Sequence, residues 1–403
     1  MLLLDGAKLA IYGIFLNYYC YYIIRGAFIP HGTMIFLGIA AICILFSILG
    51  HDGGRIYIGK ELTMWGVYGL LAFGLSFTFS NMNQSALMSD IFKYFQRLLL
   101  IFFISYICEK EGSIRFGLRA LIVSAVGCTL AVFSTLGSYQ LKLDITSGAD
   151  VSTNDIGALM AFGIIAILIY GGHNNRQSPV IISALKLAIS IGCTCVIFLA
   201  GSRKSITAVI IFLLFVVIFC GSDFFRNLTP IRFFCLVIIF AIAIFFIYQY
   251  LWQYVDDTNL YVRMFGRGVE RTATSDDIRK ELYLYALQDF IKHPLIGDGF
   301  NNFANLHGLY THSTYAEPLA CSGIVGLLYL LPYVRLFFNQ LNIIQVYPKE
   351  TSERTWQKSI MAFFVAFAFV GIGIPYLYKD IPCILLGMFL ASQELAFTDI
   401  YYS

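Results

Sequence analysis

The chain has 403 residues, 59% of them hydrophobic and only 13% charged, with a formal net charge of +3. A soluble domain usually carries about 25% charged residues, so water is not this protein's main solvent. The small positive balance lies mostly in the loops between apolar runs and carries no signature of nucleic-acid binding.

A bilayer-spanning helix needs roughly 20 mostly apolar residues, because hydrocarbon cannot satisfy backbone N–H and C=O groups and a helix pairs them internally. In chain order, about twelve such runs can be drawn, at approximately 7–24, 32–50, 62–80, 91–108, 116–137, 154–171, 180–200, 205–221, 233–251, 316–338, 358–375 and 380–397. The first has no small-residue cleavage site and is expected to remain as an uncleaved helix. The fourth contains Lys93 and Arg97 one turn apart, which either snorkel to an interface or face the bundle interior. The stretch from Pro375 to Pro382 either separates two spans or forms a re-entrant hairpin.

Orientation follows from the Lys/Arg bias of short loops. With the N-terminus inside, the cytoplasmic side collects Lys8, Arg55, Lys60, Lys110, Arg115, Arg176, Arg226, Arg232, Lys349, Arg354 and Lys358. The short outer loops hold only Arg25, Lys142, Arg203, Lys204 and Lys379. Both termini are therefore expected in the cytoplasm. The expected architecture is an all-α polytopic membrane protein: helices 1 to 9 in residues 1–251, a large, partly helical external loop at 252–315, and helices 10 to 12 in 316–403.

None of the 10 cysteines falls in that loop, and each lies in or beside an apolar run, as small packing residues do. The loop itself begins with NLYVRMFGRGVER, where Arg263, Arg267 and Arg271 recur every four residues and would form one cationic stripe on a helix, although Gly266 and Gly268 make a basic loop equally compatible. A helix is expected from TSDD, capped by Thr274 or Ser275, with Asp276 and Asp277 in its first turn. Ile278, Leu282, Tyr285, Ala286 and Phe290 form its apolar face, and His293-Pro294 stops it. LIGDGFNNF then reads as a glycine turn at Gly297 and Gly299. The aromatic residues Phe300, Phe303, Tyr310 and Tyr315 either stack on sugar faces or anchor at the interface belt.

Arg203 and Lys204, in GSRKS, stand on the side where basic residues are disfavoured, a placement tolerated for function or as interfacial snorkelling. With the cationic loop they point to an anionic ligand, and the guanidinium fork suits phosphate or diphosphate. His293, His307 and His312 lack helical ligand spacing and have no accompanying cysteine, so no metal is expected. No D-x-D cation motif and no Walker or dinucleotide glycine motif occurs, and no cofactor is implied.

The order of GSRK at a helix start, HPLIGDGFNNF, and HSTYAEPLACSGIVGLL resembles the bacterial O-antigen ligase and polysaccharide polymerase superfamily, whose pattern is an SR before a helix, a PL-G-G-F turn, and a His followed by an acidic residue and a G-I-x-G helix. The resemblance covers roughly residues 154–328 in motif order. It implies a GT-C-like fold, a bacterial plasma-membrane location and transfer of a glycan from polyprenyl diphosphate, independent of metal. It assigns Arg203, Arg279 and His312 as catalytic residues, with Ser313 standing where the family often has Asn. Lys204, Arg263, Arg267, Arg271, Tyr315 and Glu317 are the expected substrate contacts, and Glu317 is alternatively an orienter of His312 or a capping residue at a helix mouth.

A sugar on diphosphate already has a good leaving group, so the two arginines would stabilise growing charge and His312 would take the attacking hydroxyl's proton. The implied activity is a polymerase joining lipid-linked repeat units into O-antigen, capsular or exopolysaccharide. The alternatives are an O-antigen ligase acting on lipid A core and a lipid-linked oligosaccharide flippase. Implied partners are the polyprenyl-diphosphate-linked oligosaccharide, membrane lipid, a chain-length regulator and a flippase, with no nucleic acid.

Overall fold

A computed structural model describes residues 2–24, 32–51, 58–79, 83–135, 153–172, 180–200, 202–226, 271–348 and 351–402. Regular structure among the described residues is entirely helical. The helices are α1 (Leu2–Ile24), α2 (Gly32–His51), α3 (Lys60–Phe79), α4 (Gln84–Lys110), α5 (Arg115–Thr135), α6 (Thr153–Gly172), α7 (Val180–Leu199), α8 (Arg203–Arg226), α9 (Arg271–Lys292), α10 (Phe303–His307), α11 (Ala316–Ser322), α12 (Leu327–Val346), α13 (Ser352–Gly371) and α14 (Ile381–Tyr402). A helix occupies every run drawn from the sequence except 233–251, which lies outside the described residues.

Among the described residues, 7 helices are long and apolar enough to cross a membrane: Gly32–Gly50, Lys60–Phe79, Gln84–Lys110, Arg115–Ser134, Ile181–Leu199, Ala316–Val346 and Ile381–Ile400. Their apolar residues point outward as well as inward. On α2, Ala40, Ile44 and Ile48 are buried while Ile42, Leu45, Phe46 and Leu49 are exposed. Such a surface would aggregate in water and is at ease in lipid. The protein is an all-α polytopic membrane protein.

Inside the bundle, α1 packs on α2 and α5, α4 on α3 and α14, α6 on α5, α7 and α8, α8 on α13, and α3 on α12. Arg97 does not snorkel. Its Nε donates to Asp380 Oδ1 at 2.8 Å, so α4 is tied to the residues leading into α14, whereas Lys93 is exposed. The stretch from Ile372 to Asp380 is a short connector with one 3-10 turn, Tyr376–Tyr378, between two full helices.

The run at 316–338 is not one continuous helix. It breaks after α11 into a 3-10 turn, Gly323–Gly326, before α12 resumes. The cause is an interlock with the glycine turn. Gly323 has φ of +56°, and a Cβ there would lie 2.6 Å from the Pro294 carbonyl oxygen. Gly297 has φ of +64°, and a Cβ there would collide with the Cys321–Ser322 peptide. With these side chains absent, the backbones bond directly: Ile324 N–H to Pro294 O at 2.7 Å, Asp298 N–H to Ala320 O at 3.1 Å, and Gly299 N–H to Cys321 O at 3.0 Å. The two glycine motifs, separated in the chain, are one structural unit.

The segment before α11 also enters the bundle. Phe300 is buried, with its N–H 2.6 Å from Ser76 Oγ of α3 and its ring against Tyr68, Tyr94 and Tyr378. Phe303 is buried with Leu282, Ala286, Ala320 and Cys321, where α9 seats on α11. Neither phenylalanine is a belt anchor or an open sugar platform: both fill the interior because apolar area removed from solvent outweighs what an interface contact offers. α9 starts at Arg271, earlier than the TSDD start, so Thr274 and Ser275 lie inside the helix rather than capping it. Ile278, expected on its apolar face, is exposed.

Candidate functional site

The segment Thr311–Tyr315 is a turn of negative φ throughout, with one exception. Thr311, Ser313 and Thr314 are buried. Thr314 is bonded to the end of α13 and to the connector: its N–H donates to Gly371 O at 2.8 Å, its Oγ1 donates to Ile374 O at 2.5 Å, and it accepts from Tyr376 N–H at 2.9 Å. The Ser313 hydroxyl accepts the N–H groups of Tyr315 and Ala316 at 3.2 and 3.3 Å, the role an N-cap plays at a helix start. Ser313 therefore serves the entry into α11.

His312 is the exception. It is held at φ of +59°, a left-handed conformation that costs a non-glycine residue about 1–3 kcal/mol and persists only where the surroundings over-determine it. The bonds of Thr314 and Ser313 supply that constraint. Its ring is only partly buried and lies 4.3 Å from the Tyr310 ring, centroid to centroid. Burial, then the positive charges of Arg279, Lys204 and Lys379, lowers the imidazole from its ordinary 6.5 to about 4. At neutral pH the ring is thus uncharged inside a cationic environment, able to accept a proton but not already carrying one.

These cations arrive from three separate elements. Arg279 is on α9, whose Tyr283 hydroxyl donates to Ile372 O at 2.8 Å and so fixes the helix against the connector. Lys204 is in the first turn of α8 and lies across Gly373, where any Cβ would overlap its ammonium group. Lys379 is in the connector itself, its Nζ 2.8 Å from Asp155 Oδ2 at the start of α6. Arg203, the residue before Lys204, opens α8 and is exposed; the buried Ser202 and Ser205 hydroxyls, 2.7 Å apart, fix this turn against Gly157 of α6.

Other sequence-selected residues have different surroundings. Glu317 is fully buried, and its Oε2 accepts the Thr311 N–H at 2.7 Å. It is neither a solvated helix-mouth residue nor open to a sugar, and it braces the turn that presents His312. The Tyr315 hydroxyl donates to Ala368 O at 2.7 Å, pinning the turn to α13. Arg263 and Arg267 lie outside the described residues, as does the side chain of Arg271. His307 is paired with Asp289 at 2.6 Å and stacked on Tyr285, while His293 sits 3.6 Å from Asp298. Among the described residues, no group of three or more His, Cys, Asp or Glu side chains is arranged to hold a metal ion.

Sequence reasoning counted Lys379 among the outer-side cations without selecting it, and it passed over Asp155 and Gly373. The signal for Lys379 was the one that singled out Arg203 and Lys204: a basic residue on the side where short loops are poor in them.

Residues 187–331 match the family model described as O-antigen ligase. No curated protein matches the chain. The matched segment contains Arg203, Lys204, Arg279 and His312 and ends just after the interlocked glycine turn and helix break. The order of motifs, the helical membrane fold and this match agree: residues 187–331 of this membrane protein are similar to the O-antigen ligase family.

Proposed function

We propose that this protein is a polymerase joining polyprenyl-diphosphate-linked oligosaccharide repeat units into O-antigen, capsular or exopolysaccharide at the outer face of the bacterial plasma membrane. The observation that carries this reading is the placement of His312, neutral and presented on a strained turn among Arg279, Lys204 and Lys379, within the segment matched to the O-antigen ligase model.

The chemistry follows from that arrangement. The acceptor hydroxyl oxygen attacks the anomeric carbon of the donor glycan as the bond from that carbon to the diphosphate breaks. The electron pair leaves with the diphosphate, where Arg279, Lys204 and Arg203 stabilise the growing charge. The hydroxyl proton passes to the His312 imidazole and then to solvent. Binding of the anionic donor offsets the surrounding positive charge and raises the basicity of His312, so the base becomes competent when the donor is in place. The donor diphosphate needs no metal under this scheme, because the side-chain cations supply the positive charge. The remaining parts of the proposal are cytoplasmic termini, from the Lys/Arg bias of the loops, and cooperation with a flippase that delivers donor and a regulator of chain length.

A second reading, transfer of finished glycan to lipid A core, is favoured by the description of the matched family model as O-antigen ligase. Purified protein in liposomes with a polyprenyl-diphosphate-linked repeat unit, with and without a lipid A core acceptor, separates the two. A ladder formed from the repeat unit alone and lost in His312→Ala establishes the polymerase. A single shift that requires the core establishes the ligase. Movement of substrate across the bilayer without any product overturns both in favour of a transporter.

A further inference from the structure

The connector from Ile372 to Asp380 is outside the segment matched to the O-antigen ligase model, yet the residues that form the site converge on it. Thr314 is held by Gly371, Ile374 and Tyr376, Tyr283 by Ile372, and Lys204 lies in the space left by the missing side chain of Gly373. The same connector carries Lys379, whose side chain is only 13% exposed and is paired with Asp155, 6% exposed.

An ion pair this buried is a poor device for stability, since removing both charges from water costs several kcal/mol per ion and a neutral, well-packed pair often serves as well. It is a good device for aiming a cation. The Asp155 carboxylate accepts one of the three ammonium donors and holds the group in a position fixed by α6. Charge supports a specific ligand class. Arg279, Lys204 and Lys379 all act on His312, and a group of cations from three elements complements an anionic ligand such as a lipid diphosphate.

We propose that Lys379, aimed by Asp155, is a donor-binding residue that contacts an oxygen of the lipid diphosphate, and that the α13–α14 connector is thereby a wall of the active site. This rests on the donor class proposed above. Lys379 and Lys204 then reach the diphosphate from the α13–α14 connector and from α8, and Arg279 from α9. Gly373 leaves the space in which the Lys204 side chain crosses the connector.

The test is binding of polyprenyl diphosphate without sugar to the full-length protein in nanodiscs, comparing wild type, Lys379→Gln, Lys379→Arg, Asp155→Asn and the double variant Lys379→Gln/Asp155→Asn. Size-exclusion profiles and melting temperatures verify that each variant is folded. Lys379→Gln is expected to weaken binding by about tenfold, the double variant to stay equally weak, and Lys379→Arg to bind within about threefold of wild type. A double variant that regains wild-type affinity makes the pair structural and overturns the inference, as does a folded Lys379→Gln variant that binds normally. Wild-type protein that neither binds the lipid diphosphate nor makes product in liposomes overturns the proposed function itself, and this inference with it.

Discussion

The Tyr283 hydroxyl donates a 2.8 Å hydrogen bond to the Ile372 carbonyl, joining residues 89 positions apart. The bond ties the helix that carries Arg279 to the connector that carries Lys379, so the charge around His312 depends on the docking of α9. Tyr283→Phe removes only the hydroxyl. A neutral hydrogen bond contributes about 0.5–1.5 kcal/mol, so transfer efficiency, measured as kcat/KM for the lipid-linked donor, is expected to fall severalfold with little change in melting temperature. An unchanged kcat/KM would show that α9 is held in place without this bond.

The left-handed turn at His312 separates the demand on the backbone from the demand on chemistry. His312→Ala and His312→Gly are both expected to lose transfer activity. Glycine tolerates a φ of +59°, so His312→Gly is expected to be more stable than His312→Ala by about 1 kcal/mol. Thermal unfolding in detergent measures the difference, and equal melting temperatures would mean that the turn relaxes when the ring is removed.

Thr314 has its N–H and hydroxyl committed to the end of α13 and to the connector. Thr314→Val keeps the shape but leaves the Tyr376 N–H without its acceptor in a buried position, at a cost of about 1–3 kcal/mol, whereas Thr314→Ser retains the hydroxyl. Valine is expected to lower both melting temperature and activity, and serine to restore most of each. Activity lost with serine as well would implicate the methyl group instead of the hydrogen bonds.

The pH profile tests His312 as the base. Its imidazole is lowered to about 4 by burial and by Arg279, Lys204 and Lys379, so in the free protein it stays neutral until the pH falls towards that value. The acid limb of kcat/KM, which reports the free enzyme, is expected near pH 4, well below the ordinary histidine range. The acid limb of kcat, which reports the complex, is expected at higher pH because bound diphosphate offsets the cations. The stability contribution has the same sign. The folded state binds fewer protons than the unfolded state between the two pKa values, so stability decreases as pH falls from about 6.5 towards 4. An acid limb of kcat/KM near 6.5 that His312→Ala leaves unmoved would assign the base elsewhere.

Cys321→Ser is a control for packing. Cys321 is buried where α9 seats on α11, and its sulfur lies 4.0 Å from the Tyr378 hydroxyl, a long contact. A change of about 1 kcal/mol or less in stability, with activity retained, is expected from this near-isosteric replacement. Loss equal to that of His312→Ala would mean that the interlocked turn tolerates no perturbation at all.

The helices were legible in the sequence because a span is a local property: roughly 20 apolar residues satisfy their own backbone, whatever surrounds them. The candidate base was legible too, through the ordered motifs around GSRKS, HPLIGDGF and HSTYAEP. Those motifs did not reveal what their residues touch. Glu317 was expected to contact substrate and is enclosed against Thr311, Phe300 looked like a surface aromatic and fills the bundle, and the last helix connection, read either as a separator of two spans or as a re-entrant hairpin, bears on the site. Hydropathy and periodicity describe how a segment meets its surroundings on average. They contain nothing about which distant segment supplies the partner. Asp155 with Lys379, Thr314 with Tyr376 and Gly297 with Cys321 are pairings between elements, chosen by the shape and charge of the packed bundle. The sequence by itself determined the helical membrane fold and named the candidate residues. Only the tertiary structure decided how those residues are gathered around His312, because that arrangement exists once helices far apart in the chain are in contact.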